Sequence, residues 1–194
     1  HLLAQFCRKP VCLHLPLGRL LDRFIRLRVN ALQPPPERLI DRKIELRAGG
    51  FGTGRQLAAA LMLGSQGVYM GSRFFLSKEC PVLDKVKNYV AENATEMDTA
   101  LALRSFKNTS RYFKSNVIER VIAKEKEGCV FEDVREDVSG VMAKKMFFEN
   151  GDIMNCGSIC VGEVIGLLHD VLPCKEIAES IMKECMETIA KFSC

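Results

Sequence analysis

The chain has 194 residues, 47% of them hydrophobic and 27% charged, with a formal net charge of +4. That suffices for one domain with a real core, but falls short of the ~250 residues of an ordinary (β/α)8 barrel. The positive charge is concentrated at one end: residues 1–47 carry ten Lys and Arg against four Asp and Glu, whereas residues 48–194 carry eighteen against twenty. A nucleic-acid-binding chain would spread basic residues over a folded face with aromatic partners among them, and this pattern offers neither. No run of eighteen apolar residues occurs, so no membrane-spanning helix is expected.

Nine cysteines stand at 7, 12, 80, 129, 156, 160, 174, 185 and 194, an odd count with irregular spacing. Cys156 and Cys160 come closest to a metal pair, at what reads as the entry to a helix. No second close pair with a nearby histidine completes four ligands, so no metal site is expected. The thiols read as small apolar side chains kept reduced, which suits a cytoplasmic protein.

In chain order, Leu13–Val29 has the apolar spacing of an amphipathic helix with arginines opposite. Pro34-Pro35-Pro36 then forces an extended segment. Residues 1–43 therefore read as a basic N-terminal segment with a proline-rich linker, set apart from residues 44–194. A first residue of His rather than Met fits a fragment or a processed product. From Ile44 the pattern sharpens. A short strand, Ile44–Ala48, runs into Gly49-Gly50-Phe51-Gly52-Thr53-Gly54, and a helix follows from about Arg55. Gly64 is placed to end that helix in the left-handed conformation. A second strand, Gly67–Met70, meets Gly71-Ser72. This order is a βαβ unit, whose two strands should lie parallel. Beyond Ser77 the periodicity predicts mainly helix, over 81–93, 115–127, 131–148 and 159–169, with Gly128 as a stop. A last helix, Lys175–Lys191, carries Ile177, Ile181, Cys185 and Ile189 on one stripe.

The chemistry-bearing feature is the pair of glycine turns at the C-terminal ends of successive strands. Backbone amides approach a phosphate closely only where no Cβ intervenes, and a helix start adds unpaired N–H groups that favour an anion. Gly50-x-Gly52-x-Gly54 is neither a dinucleotide fingerprint, since Arg55 stands where a third glycine is needed, nor a Walker loop, since no Gly-Lys-Ser/Thr follows. Two such turns about twenty residues apart match the phosphate site common in (β/α) barrels after the seventh and eighth strands.

The stretch Gly49-Gly50-Phe51-Gly52-Thr53-Gly54-Arg55-Gln56-Leu57-Ala58-Ala59-Ala60-Leu61, followed by Gly64 and by Gly67-Val68-Tyr69-Met70-Gly71-Ser72-Arg73-Phe74, resembles the nitronate monooxygenase (2-nitropropane dioxygenase) family. The resemblance continues through Arg104–Arg111, Phe131–Val134, Gly151-Asp152 and Val161–Leu167, covering roughly residues 44–192. It implies an α/β fold, a partial (β/α)8 TIM barrel comprising its last two βα units, followed by a mainly helical segment. It also implies an oxidoreductase that uses FMN to oxidise a small-molecule alkyl nitronate with dioxygen, giving a carbonyl compound and nitrite. By the same resemblance Gly49, Gly50 and Gly52 line one side of the FMN phosphate. Tyr69, Met70, Gly71 and Ser72 line the other, with the Ser72 hydroxyl as a donor.

The chain departs from the family pattern in two places. The family's histidine-bearing glycine-rich stretch has no counterpart in residues 1–46, where His14 lacks neighbouring glycines. His169 reads as an exposed side chain near a helix end, so no catalytic residue is assigned. The family's Ala-Gly-Gln appears as Val161-Gly162-Glu163, a carboxylate in place of an amide. Lys107, Arg111 and Lys114 would share a basic helical face if that segment is helical, and read as solvated charge. Two alternatives stay open: an FMN-dependent enoyl-acyl-carrier-protein reductase-like enzyme, and a truncated, non-catalytic fragment that keeps only the phosphate site. The remaining barrel strands would come from a missing segment or another chain, and a homo-oligomer is compatible with either.

Overall fold

The computed structural model describes residues 46–192. The helix expected over Leu13–Val29, the triple proline, His14 and the thiols at 7, 12 and 194 lie outside the described residues.

Strand β1 (Leu46–Ala48) pairs in parallel with β2 (Gly67–Tyr69), Leu46 opposite Gly67 and Ala48 opposite Tyr69. Helix α1 (Gly54–Met62) connects them. Its start is fixed by a capping box: Thr53 Oγ1 accepts the Gln56 N–H at 3.3 Å, and Gln56 Oε1 accepts the Thr53 N–H at 3.1 Å. Its end is fixed by Gly64, at φ +89°, as expected. Helix α2 (Ser72–Phe75) follows β2 at once. The unit is therefore βαβα, and the C-terminal ends of both strands open on one edge.

Helix α3 (Asp84–Asn93) comes next, and then the structure departs from the helical expectation. Strands β3 (Thr99–Ala102) and β4 (Ser110–Phe113) form an antiparallel hairpin. Consecutive strand residues face opposite sides, and here both sides are covered. Tyr112 packs with Ala102, Ile118, Val121 and Val134, while Phe113 packs with Val86, Val90, Ile159 and Ile165. A four-residue strand buried on both faces leaves no periodic signature. The basic helical face imagined for Lys107, Arg111 and Lys114 is overturned with it. Arg111 lies on β4, Lys107 sits in the preceding turn at φ +54°, and Lys114 follows the strand.

Helix α4 (Asn116–Glu127) is capped by Ser115 and stopped by Gly128 at φ +86°. The single helix expected over 131–148 is broken into α5 (Phe131–Val134), α6 (Gly140–Lys145) and a wide π turn (Met146–Asn150). Ser139 starts the second piece by accepting the Met142 N–H at 3.3 Å, and Gly151 ends the third at φ +63°. The helix expected over 159–169 shrinks to a 3-10 turn, Glu163–Leu167. Ahead of it the chain runs extended beside β4, where the Phe113 N–H donates to Ile159 O at 2.8 Å and Tyr112 bridges Cys160. Cys156 and Cys160 thus flank an extended run and not a helix entry.

Helix α7 (Cys174–Lys191) returns to the βαβα unit. Its stripe of Ile177, Ile181 and Cys185 is buried against Leu57, Ala58, Met70 and Phe74, with Ile189 packed at the margin. Gly54 permits the close approach. A Cβ there would stand 2.6 Å from Cys185 N, and nearer still to the carbonyl of Ile181.

Candidate functional site

The edge where β1 and β2 end holds both glycine turns. Gly49 and Gly50 adopt φ +87° and +77°, and a Cβ at either would meet nothing within 4 Å. Their need for glycine is therefore conformational, and the space beside them is open. Gln56 holds the loop in shape. Its Nε2 donates to Gly50 O at 2.8 Å while its Oε1 accepts the N–H groups of Gly52 (2.8 Å) and Thr53 (3.1 Å). Gly52 is glycine for a different reason: it is buried, and a Cβ would stand 2.8 Å from Val164 Cγ2 and 3.1 Å from Leu168 Cδ2.

At the second turn, Tyr69 is half-buried and Met70 is fully buried, its side chain in the core beside Phe74. What Met70 offers the edge is backbone. Gly71 is exposed. The first bond inside α2 runs from the Phe75 N–H to Gly71 O at 2.9 Å, so the N–H groups of Ser72 and Arg73 precede the helical ladder. Ser72 Oγ accepts the N–H of Gly162 at 2.8 Å. That bond uses a hydroxyl lone pair and leaves the O–H hydrogen to be donated elsewhere. A Cβ on Gly162 would stand 3.7 Å from Ser72 Oγ and 3.9 Å from Gly50 N. The two glycine turns and the Val161-Gly162-Glu163 segment therefore meet at one place.

Long-range pairs hold these three segments. Glu184 of α7 occupies the start of α1: its Oε2 accepts the Gly54 N–H at 2.6 Å, and its Oε1 pairs with Arg55 Nε at 2.9 Å. The first N–H of this helix is thus taken by a carboxylate of the same chain, which also faces the positive end of the helix dipole. Buried Arg73 pairs with Asp170, tying α2 to the segment after the 3-10 turn. Arg111 of β4 pairs with Glu163 at 2.9 Å and donates to Thr99 Oγ1 at 3.1 Å. The carboxylate that stands where the family pattern has an amide is thus paired. His169 is exposed, with Nδ1 3.4 Å from Ala91 O on the flank of α3, as its sequence setting suggested.

Comparison with known proteins decides the family. The family model described as nitronate monooxygenase matches residues 46–184. The chain belongs to the nitronate monooxygenase family. Within that family frame, it is 26% identical to a (3aS,4S,5R,7aS)-5-hydroxy-7a-methyl-1-oxo-octahydro-1H-indene-4-carboxyl-CoA dehydrogenase of Rhodococcus jostii, over 73% of this chain and 50% of that protein. The namesake from Mycobacterium tuberculosis is 28% identical over 71% of this chain and 48% of its own length. Among solved structures, FabK from Thermotoga maritima superposes with a TM-score of 0.70 and 31% identity, over 78% of this chain and 47% of FabK. Nitroalkane oxidase from Streptomyces ansochromogenes superposes at 0.61 with 21% identity, over 76% and 41%. This nitronate monooxygenase-family chain spans about half the length of the curated relatives it matches, and its α/β fold is similar to that of FabK and nitroalkane oxidase.

Sequence reasoning placed the two glycine turns but missed most of what holds them. Thr53-x-x-Gln56 is a readable capping box, so the clasp by Gln56 had a local signal. Glu184, Asp170 and Arg111 act across long stretches of chain, with no local spacing to reveal them.

Proposed function

We propose that this chain forms the phosphate-holding part of an FMN-dependent oxidoreductase, one that oxidises alkyl nitronates with dioxygen to a carbonyl compound and nitrite. In this reading, residues 46–75 are the last two βα units of a (β/α)8 barrel. The observation that carries it is the convergence of Gly50, Ser72 and Gly162 at the open ends of two parallel strands. The residues fit a phosphate monoester. Two successive glycines at positive φ leave open space beside the backbone, and the start of α2 presents N–H groups beside a hydroxyl whose hydrogen is left to donate. Gly49, Gly50, Gly71 and Ser72 would take the phosphate oxygens directly. Gly52, Tyr69 and Met70 would shape the seat, Gly52 by packing under the loop and Met70 by anchoring the second turn in the core.

When bound, FMN would supply the electron transfer, and the protein's part is to bind and orient it. Residues of this chain contribute by fixing the phosphate end, which sets the angle and depth of any ring system attached to it. Gln56 keeps the first turn rigid, and the Ser72–Gly162 bond fixes the second turn against the third segment. No described side chain is assigned to proton transfer.

The test is a titration of purified chain with FMN and with riboflavin, followed by oxygen uptake and nitrite release with propionate-3-nitronate. Losing two or three charge-assisted hydrogen bonds should weaken riboflavin at least roughly tenfold relative to FMN. Equal affinity for the two would sink the phosphate seat. FMN binding without oxygen uptake would limit the chain to cofactor holding.

A second reading, an enoyl reductase-like reaction, is favoured by one comparison: FabK shares more sequence with this chain than nitroalkane oxidase does, and superposes better. NAD(P)H oxidation with an enoyl thioester, set against oxygen uptake with the nitronate, separates the two reactions.

A further inference from the structure

Glu163 brings a negative charge into the segment that meets the phosphate seat. Glu163 follows Gly162 in the chain, and a Cβ on Gly162 would stand 3.9 Å from Gly50 N and 3.7 Å from Ser72 Oγ. An unpaired carboxylate there would repel a phosphate that carries nearly two negative charges at neutral pH. The repulsion is answered from another element. Arg111 Nη1 stands 2.9 Å from Glu163 Oε1 and 3.1 Å from Thr99 Oγ1, so the guanidinium is held by both strands of the β3–β4 hairpin. The hairpin is in turn fixed to the same segment by the Phe113 N–H to Ile159 O bond at 2.8 Å and by the Tyr112–Cys160 bridge. Arg111 therefore reaches Glu163 from a rigid base and not as a free surface cation.

We propose that Arg111 is a positioning residue for the anion seat: it neutralises and holds Glu163, and so lets the Gly50–Ser72–Gly162 site accept a phosphate monoester. The inference rests on reading that site as the FMN phosphate seat. It makes the hairpin part of the binding apparatus, although no hairpin residue touches the seat. It also explains how a carboxylate can stand where the family pattern has an amide: the charge is covered by an arginine on a neighbouring strand. The pair is partly exposed, with side-chain accessibilities of 32% for Arg111 and 61% for Glu163, so its electrostatic effect is moderated by solvent and should fall with added salt.

The experiment measures FMN and riboflavin affinities for wild type, Arg111→Ala, Glu163→Gln and the double variant, at low and at high ionic strength. Riboflavin lacks the phosphate, so the ratio of the two affinities isolates the seat from general damage to the fold. Arg111→Ala should weaken FMN roughly five- to tenfold at low salt, by exposing one like charge at partly screened distance, and should leave riboflavin nearly unchanged. Glu163→Gln alone should bind FMN at least as well as wild type. Added to Arg111→Ala, it should restore FMN affinity to within about twofold of Glu163→Gln, because no carboxylate then remains to be covered. High salt should shrink the Arg111→Ala defect. Equal losses for FMN and riboflavin, or a double variant no better than Arg111→Ala, would overturn the inference while leaving the phosphate seat standing. A wild-type chain that does not prefer FMN to riboflavin would overturn both.

Discussion

Gly54→Ala offers the sharpest test of how this fold is packed, because the helix's own preference and its neighbours demand opposite outcomes. By intrinsic propensity, alanine in place of glycine near a helix start should gain up to about 1 kcal/mol. In this structure the added Cβ would stand 2.6 Å from Cys185 N, 2.6 Å from Glu184 Cβ and closer still to Ile181 O. Two of those three atoms are backbone and cannot turn aside. Carbon atoms pack best at about 3.5–4.0 Å, so α1 and α7 would have to part by roughly 1 Å. Overpacking of this kind costs about 1–3 kcal/mol. Parting the helices also stretches the 2.6 Å bond from the Gly54 N–H to Glu184, of a kind contributing about 1.5–3 kcal/mol. Set against the propensity gain, the net expectation is a destabilisation of about 2–4 kcal/mol, a large share of the 5–15 kcal/mol a domain usually has. Urea unfolding followed by circular dichroism measures it, with Gly64→Ala as comparator. That site has φ +89° and nothing within 4 Å, so only backbone strain of about 1–2 kcal/mol applies. A Gly54→Ala protein as stable as wild type, or more stable, would refute the close-contact account of the α1–α7 interface.

Other perturbations probe the supports of the site. Gln56→Leu removes the acceptor for Gly52 and Thr53 and the donor to Gly50, and should cost about 1–2 kcal/mol in thermal unfolding while loosening FMN in the same titration used above. Lys87 is fully buried, with Nζ 3.1 Å from Ser77 O, 3.4 Å from Lys78 O, 3.2 Å from Cys80 O and 2.9 Å from the exposed Asp84 carboxylate; Lys87→Met should cost about 1–3 kcal/mol in urea unfolding by leaving the carbonyls without their donor. Glu79 accepts the Cys174 N–H at 2.8 Å at the head of α7, and that bond chiefly holds its carboxyl below the usual glutamate range. Its stabilisation is therefore present above the ordinary glutamate pKa and lost as pH falls through the lowered value, so the melting temperature of wild type should exceed that of Glu79→Gln near neutral pH and converge with it in acid.

The parts of the fold legible in the sequence are those whose cause is local. Thr53 and Gln56 define a helix start within four residues, Gly64 and Gly128 define helix ends by a single backbone angle, and Ile177, Ile181 and Cys185 mark a buried face by spacing alone. The two glycine turns belong with these, since φ values of +87° and +77° are demands that glycine meets within the loop itself. The hairpin was illegible for a matching reason. Thr99–Ala102 and Ser110–Phe113 become strands because separate clusters cover opposite sides of β4, and those clusters draw on buried residues from Leu76 to Leu168. The same holds at the site. Gly52 and Gly50 read alike in the sequence, yet one is glycine because Val164 and Leu168 press on it and the other because of its backbone angle.

This difference bears on how the binding edge can persist. Two strands of three residues make a poor sheet alone, since a lone pair leaves unpaired backbone along both edges. What steadies the edge comes from later in the chain. Glu184 holds the head of α1, Asp170 holds Arg73 beside Ser72, and Gly162 gives its N–H to Ser72. Val164 and Leu168 lie under Gly52 while also belonging to the cluster around α3, so the packing beneath the first turn is continuous with the packing of the helical segment. The glycine turns and the segment after β2 should therefore lose structure together: a change such as Lys87→Met, remote in sequence from the first turn, should weaken FMN binding at temperatures where the helical core begins to open. Retained FMN affinity through that transition would mean that the βαβα unit holds its shape on local interactions alone, and the long-range pairs would then be consequences of the site's geometry and not its cause.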